Sequence, residues 1–327
     1  MTSTQRAAPV WRRIAETVTD AAVVAPVRRL PVLQKLVRYV AQAVPVVSGT
    51  AYVERATYAR MRALFLDPGA VSAAERARRA RIVAAFERIH ASVGAAHPPT
   101  DSLFVAHALL ALNCAGTIVE CGCYLGASTA KLSVLARETG RRLLAFDSFE
   151  GLPDTPEAPV RDLDVREGSS PRWTKGRYRG GLDVVSENVR RWGAIDVTTF
   201  HKGWFKDTLT SAILREPVAL ALTDVDLGES VRDCLIGLWP RLSDGGVFFS
   251  HDVAFLNALL ALTDDELWRT RLAHRVPIVF GAGYGVCDAS PHLGFLVKGW
   301  PLTPDYLARI TLPRRPADGG PESASVA

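Results

Sequence analysis

Asp224 and Asp226 stand two residues apart at the end of an apolar run, and His251 and Asp252 close another that follows a Gly-Gly turn. Two further acids hold comparable places: Glu120 after Thr-Ile-Val, and Asp147 after Leu-Leu-Ala-Phe. Carboxylates gathered in one cleft repel each other and lose hydration, so they require a compensating partner. A bound cation, a positively charged ligand or a hydroxyl-rich ligand would each serve. Asp224, His251 and Asp252 can converge on one divalent ion whose open positions take substrate hydroxyls. Such an ion lowers the pKa of an alcohol, and Asp226 beside it can take the proton. Any one of these residues also reads as an ordinary strand cap or loop hydrogen-bonder; the set of four does so far less readily.

The elements that must position these groups are legible around residues 117–128, Thr-Ile-Val-Glu-Cys-Gly-Cys-Tyr-Leu-Gly-Ala-Ser. A short apolar run, a glycine turn and an amphipathic segment opening at Ser128 predict a strand, a tight loop and a helix N-terminus. Gly122 and Gly126 remove side chains where a ligand approaches the backbone, and the helix start offers free N–H groups. Glu120 at the strand end suits a positively charged ligand better than a pyrophosphate, which favours S-adenosylmethionine over a dinucleotide. Asp147, ending the neighbouring strand, can accept both hydroxyls of a ribose; its bland alternative is a helix N-cap.

From about Asp101 onward, strand and helix patterns alternate. Expected strands are 117–122, 142–148, 197–203, 218–226, 246–252, 276–281 and 292–299, several of them continuous apolar runs, as in parallel strands covered on both faces. This predicts a doubly wound, mostly parallel seven-stranded α/β sheet, Rossmann-like, with its last two strands as an antiparallel edge pair. Ligands of such sheets bind outside the carboxyl ends of the strands, where the acids stand. Residues 1–100 read as a helical N-terminal extension, closed by His97-Pro98-Pro99, and residues 312–327 as a disordered tail. The stretch 154–181 is long for a connection and is expected to form a lid, with Trp173 or Tyr178 offering a ring to the acceptor; simple packing is the alternative.

Hydrophobic residues make up 48% of the 327 and charged ones 22%, enough for a sizeable core. The net charge of +5 resides in the N-terminal segment, where Arg6, Arg12, Arg13, Arg28, Arg29, Lys35 and Arg38 face only Glu16 and Asp20. Leu30, Leu33, Val37, Val40 and Val44 recur there at helical spacing. The stripe reads first as a helix packed on its own domain or on a second copy in a homo-oligomer, and second as a basic helix on an anionic membrane surface. No interleaving of aromatic and basic residues suggests nucleic acid. All five cysteines are read as reduced, which implies cytosol.

Four motifs in order, Glu120–Ser128, Phe146–Pro153, Lys202–Leu209 and Asp224–Ser230, resemble the macrocin O-methyltransferase family over about two thirds of the chain, from Asp101 to Gly299. The resemblance implies transfer of a methyl group from S-adenosylmethionine to a hydroxyl, typically on a deoxysugar of a natural product, with magnesium. It implies that Glu120, Gly122 and Ser128, with Tyr124 and Gly126 of the same loop, hold the methionine moiety. Asp147 and Ser148 would hold the ribose, and Lys202, Gly203 and Trp204 would lie near the adenine. It places Asp224, His251 and Asp252 on the metal positions, Asp224 also bordering the donor, and Asp226 on the general base. The chain departs from the family in two places. His251-Asp252 replaces two adjacent aspartates, so the ion is manganese, iron or zinc rather than magnesium, or is absent with His251 acting as the base. Gly228 replaces a tyrosine.

Two other classes compete. A nicotinamide oxidoreductase would carry Gly-x-Gly-x-x-Gly, whereas the spacing here is Gly122-x-x-x-Gly126. A degenerate, non-catalytic scaffold is suggested by His251 and Gly228 and opposed by Asp147, Asp224, Asp226 and Asp252.

Overall fold

The computed structural model describes residues 49–69, 71–93, 97–112, 114–157, 173–282, 289–299 and 308–311. The basic stripe of residues 30–44, the tail 312–327 and most of the long 154–181 connection lie outside the described residues. Two compact units divide the chain, Met1–Ala59 and Arg60–Ala327, and everything below concerns the second. No described helix is long and apolar enough to cross a membrane.

Five parallel strands form the body of the sheet: β1 Thr117–Cys121, β2 Leu143–Asp147, β3 Thr198–Lys202, β4 Val218–Thr223 and β5 Leu242–Ser250. With β6 Phe280–Gly281 and β7 Gly294–Val297 they stand in the order β3-β2-β1-β4-β5-β7-β6. Every residue of β1 and β4 is buried, because both faces of these central strands are covered. The expected antiparallel pair of β6 and β7 is present. However, β7 sits inside, antiparallel to β5 as well, and the edge strand β6 is only two residues long.

Helices cover both faces. Helix α1, Gly49–Leu66, runs across the boundary between the two units, and α2 Ala73–Ser92 and α3 Pro99–Ala111 of the second precede the sheet. Helix α2 starts at an N-cap, Ser72, whose hydroxyl accepts from Glu75 N. Its Ile89 packs with Ala127 and Ala130 of α4, Ala127–Glu138, and with Val189 of α5, Leu182–Trp192. Helix α3 begins with Pro99, whose fixed φ suits the first turn, and its Phe104 stands 5.7 Å from both Phe249 and Phe295. This ring contact fixes α3 across β5 and β7, with its N-terminus at the carboxyl edge of the sheet. The opposite face carries α6, Gly228–Leu238, and a core around Trp239 and Trp268, whose rings meet edge to face at 4.7 Å.

From β1 the chain steps to β2 and β3 on one side and returns to lay β4 and β5 on the other. The order therefore reverses between β1 and β4, and a crevice opens above their ends.

Candidate active site

Gly122 sits where that crevice begins. Its φ is +90°, and a Cβ there would lie 2.0 Å from the carbonyl oxygen of Asp224. Only glycine allows the β1 and β4 ends to come this close, and Asp224 N donates to Cys121 O at 2.9 Å across the junction. The turn is held from the other side by Asp147, which accepts from Cys123 N through Oδ2 (2.7 Å) and from Phe149 N through Oδ1 (2.6 Å). Burial raises the Asp147 pKa, partly offset by these N–H donors. Asp147 lines a cavity of about 440 Å³.

Gly122, Tyr124, Ser128, Asp147, Ser148, Gly203 and Trp204 all line this cavity, as do Asp224, Asp226 and His251. Four of the predicted donor-binding and metal residues do not. Gly126 caps α4 from behind, in left-handed conformation against Val185. Lys202 turns outward and pairs with Glu150 at 3.1 Å. Glu120 lies one layer below the wall, 1% exposed, and neither of its oxygens has a hydrogen-bond partner. Burial pushes its pKa up to about 7, with Ser128 and Thr129 hydroxyls nearby offsetting part of the effect.

Asp252 is the fourth. It is fully buried and accepts from Val225 N at 2.9 Å, while its other oxygen finds no donor. Burial and the neighbouring charges of Asp224 and Asp226 raise its pKa well above the usual carboxylate value. In its place stands His97, which the sequence marked only as the end of a helix. His97 Nε2 lies 2.7 Å from Asp224 Oδ2, and its ring stacks on that of His251 with centroids 4.0 Å apart. His251 Nε2 in turn meets Asp101 Oδ2 at 2.8 Å, and Asp101 is fixed by Ser290 N and Oγ, both at 2.7 Å. Burial disfavours a charged His251, but Asp101, Asp224 and Asp226 outweigh it and raise its pKa. Burial and the neighbouring His251 lower that of His97. Asp224 resists its own burial through His97 and His251 and ionises well below the usual range. A sign of Asp101 was available in the sequence: a lone carboxylate in the first turn of an otherwise apolar helix.

Three cavity residues other than glycine hold left-handed φ angles: Tyr124 at 45°, Tyr178 at 58° and Asp226 at 59°. Such strain persists only where surrounding contacts impose it, and it gathers at functional sites. Of the two rings proposed for the lid, Tyr178 faces the cavity, edge-on to Tyr124 with centroids 5.8 Å apart. Trp173 is instead packed in the core against Phe255. Where the family carries a tyrosine, a Cβ on Gly228 would lie 2.7 Å from Asn257 O, so no side chain fits. The Glu157 carboxylate accepts from Gly228 N (2.9 Å), Glu229 N (2.6 Å) and Asn257 Nδ2 (3.1 Å) at this helix start.

A doubly wound sheet with a glycine turn, an aspartate closing the adjacent strand and an acidic far wall at its switch point is the arrangement of a Rossmann-like S-adenosylmethionine-dependent methyltransferase. Comparison with known proteins carries this further. The family model described as macrocin-O-methyltransferase (TylF) matches residues 103–274, and the chain belongs to that family. It is an O-methyltransferase enzyme. It is 34% identical over 187 residues to the 8-demethyl-8-(2,3-dimethoxy-alpha-L-rhamnosyl)-tetracenomycin-C 4'-O-methyltransferase of Streptomyces olivaceus, covering 55% of this chain and 69% of that one. It is 32% identical over 148 residues to the demethyldecarbamoylnovobiocin O-methyltransferase of Streptomyces niveus, covering 43% and 53% respectively. The solved structure of the O-methyltransferase NovP superposes with a TM-score of 0.49 at 23% identity, over 62% of this chain and 83% of that one.

Proposed function

We propose that this enzyme methylates a hydroxyl of a sugar borne by a natural product, with a divalent cation at the acidic wall of the cavity. The observation that carries the reading is the pairing, in one cavity, of Asp147 on the donor side with Asp224 and Asp226 on the other. The names of the two Streptomyces relatives support the acceptor class, the first being a methyltransferase of a rhamnosyl-tetracenomycin.

S-adenosylmethionine supplies a methyl group on positively charged sulfur, which departs as a neutral thioether when the acceptor oxygen bonds to the methyl carbon. The residues of the chain prepare that step. Asp147 and Ser148 accept the ribose hydroxyls, the Gly122 turn lets the donor lie against backbone, and Gly203 and Trp204 border the adenine. Glu120, one layer deeper, places negative charge beneath the cationic donor. Asp226, held facing the cavity by its strained backbone, accepts the hydroxyl proton. Asp224 would hold a divalent cation, which would supply Lewis-acid lowering of the pKa of that hydroxyl. Tyr124, Tyr178 and Trp204 close the mouth and exclude water. The gain comes mainly from holding two reactants in line and stabilising developing charge.

The 2.8 Å pair of His251 and Asp101 favours a second reading, in which an aspartate-oriented histidine takes the proton and no cation is needed. Calorimetry with S-adenosylhomocysteine tests the donor, and methyl transfer to deoxysugar glycosides, with and without EDTA, tests the rest. Folded protein that ignores S-adenosylhomocysteine would end the proposal; full turnover in EDTA would leave only the second reading.

A further inference from the structure

The geometry points to a two-histidine, one-carboxylate metal centre built from His97, Asp224 and His251, selective for a first-row transition ion over magnesium. The inference rests on the cation-assisted reading above and replaces its expected ligand Asp252. Ligand atoms of His97, Asp224 and His251 all lie within 4.8 Å of one another, and no other such group is found among the described residues. His97 precedes the matched residues 103–274, so family membership does not assign it.

Three observations support the set. First, His251 Nε2 is committed to Asp101 at 2.8 Å, which leaves Nδ1 to ligate. Metal-bound histidines commonly hand their other nitrogen to a carboxylate in this way, and two hydrogen bonds from Ser290 hold Asp101 in place. Second, Asp252 is bound to Val225 N and fully buried, outside the group of close ligand atoms. Third, two of the three donors are imidazoles. Magnesium takes hard oxygen ligands in near-ideal octahedral geometry, whereas imidazole suits manganese, iron, cobalt and zinc. Three protein donors on a cavity wall leave coordination positions open towards the acceptor.

The test uses the full chain, freed of metal with EDTA and titrated with cobalt(II) as a spectroscopic probe. Visible d–d bands saturating at one equivalent are expected, and zinc or manganese should displace cobalt at least about a hundredfold more effectively than magnesium. His97→Gln retains hydrogen bonding to Asp224 but is a poor ligand, and should weaken cobalt binding by about ten- to a hundredfold. Asp252→Asn, which keeps the size and shape of the side chain, should leave cobalt affinity within about threefold, because that side chain lies outside the donor set. Circular dichroism checks that both variants fold. Absence of cobalt binding in the wild type would overturn the inference, as would binding lost in Asp252→Asn and kept in His97→Gln. Binding of S-adenosylhomocysteine, measured on the same samples, is independent. Its loss with cobalt retained would sink the methyltransferase reading alone, and the reverse pattern would sink the metal centre alone.

Discussion

Replacing Glu120 by glutamine should make the empty protein more stable at neutral pH, although Glu120 is an acidic residue one layer below the cavity wall. Its carboxylate is 1% exposed, with no donor on either oxygen, and burial raises its pKa from the ordinary 4.5 to about 7. The folded protein thus holds the proton more tightly than the unfolded chain does. Stability from this group is fully present below the unfolded pKa and is lost as pH rises through the folded one. The shift corresponds to about 3 kcal/mol, lost between about pH 4.5 and about pH 7. Urea denaturation across that window, on wild type and Glu120→Gln, measures the difference directly. The two should coincide at the acid end and diverge to as much as about 3 kcal/mol in favour of the variant at the neutral end. A sulfonium and an ammonium above the carboxylate favour its ionised form. Affinity for S-adenosylmethionine should therefore rise with pH over the same window, more steeply than that for neutral-sulfur S-adenosylhomocysteine, and only in the wild type. Parallel stability curves for the two proteins would refute the buried, unpartnered carboxylate as the cause.

Other perturbations follow from the contacts. Gly122→Ala drives a Cβ to 2.0 Å from Asp224 O at a φ of +90°, so a loss of about 3 kcal/mol or more is expected in thermal melts. It should also abolish S-adenosylhomocysteine binding. Asp147→Ala leaves the N–H groups of Cys123 and Phe149 without their acceptor. It should cost about 2–4 kcal/mol in denaturant titration and weaken S-adenosylhomocysteine binding at least about tenfold in calorimetry. Phe104→Ala removes a fully buried ring wedged against Phe249 and Phe295, for an expected loss of about 3–5 kcal/mol. Because the same helix carries Asp101, turnover should fall with it even at temperatures where the variant remains folded.

Much of the donor side could be read in the chain itself, because its cues are local. A glycine that must approach backbone is followed five residues on by a helix start, and an acid closes the next strand. The sheet then places them by parallel pairing, Glu120 beside Ala145 and Cys121 beside Phe146. Asp224 and Asp226 do share the cavity, though not through strand alternation. β4 ends at Thr223, and Asp226 reaches the wall through a left-handed turn that spacing alone does not reveal. The lid aromatics illustrate the same limit: Trp173 and Tyr178 are similar in type and position, yet one fills the core and the other faces the cavity.

The sequence by itself determined the α/β class, the strand ends that carry acids and the glycine turn between them, because hydrophobic period and turn chemistry act over a handful of residues. Which acids reach the ligand was decided by tertiary structure alone. His251 and Asp252 are neighbours, but one points to the cavity and the other into the core. His97, 127 residues before Asp224, is carried there by the chain leading into the helix that Phe104 anchors across the sheet. Side-chain direction at a strand end, and contact across such a distance, depend on packing between layers that no local pattern encodes.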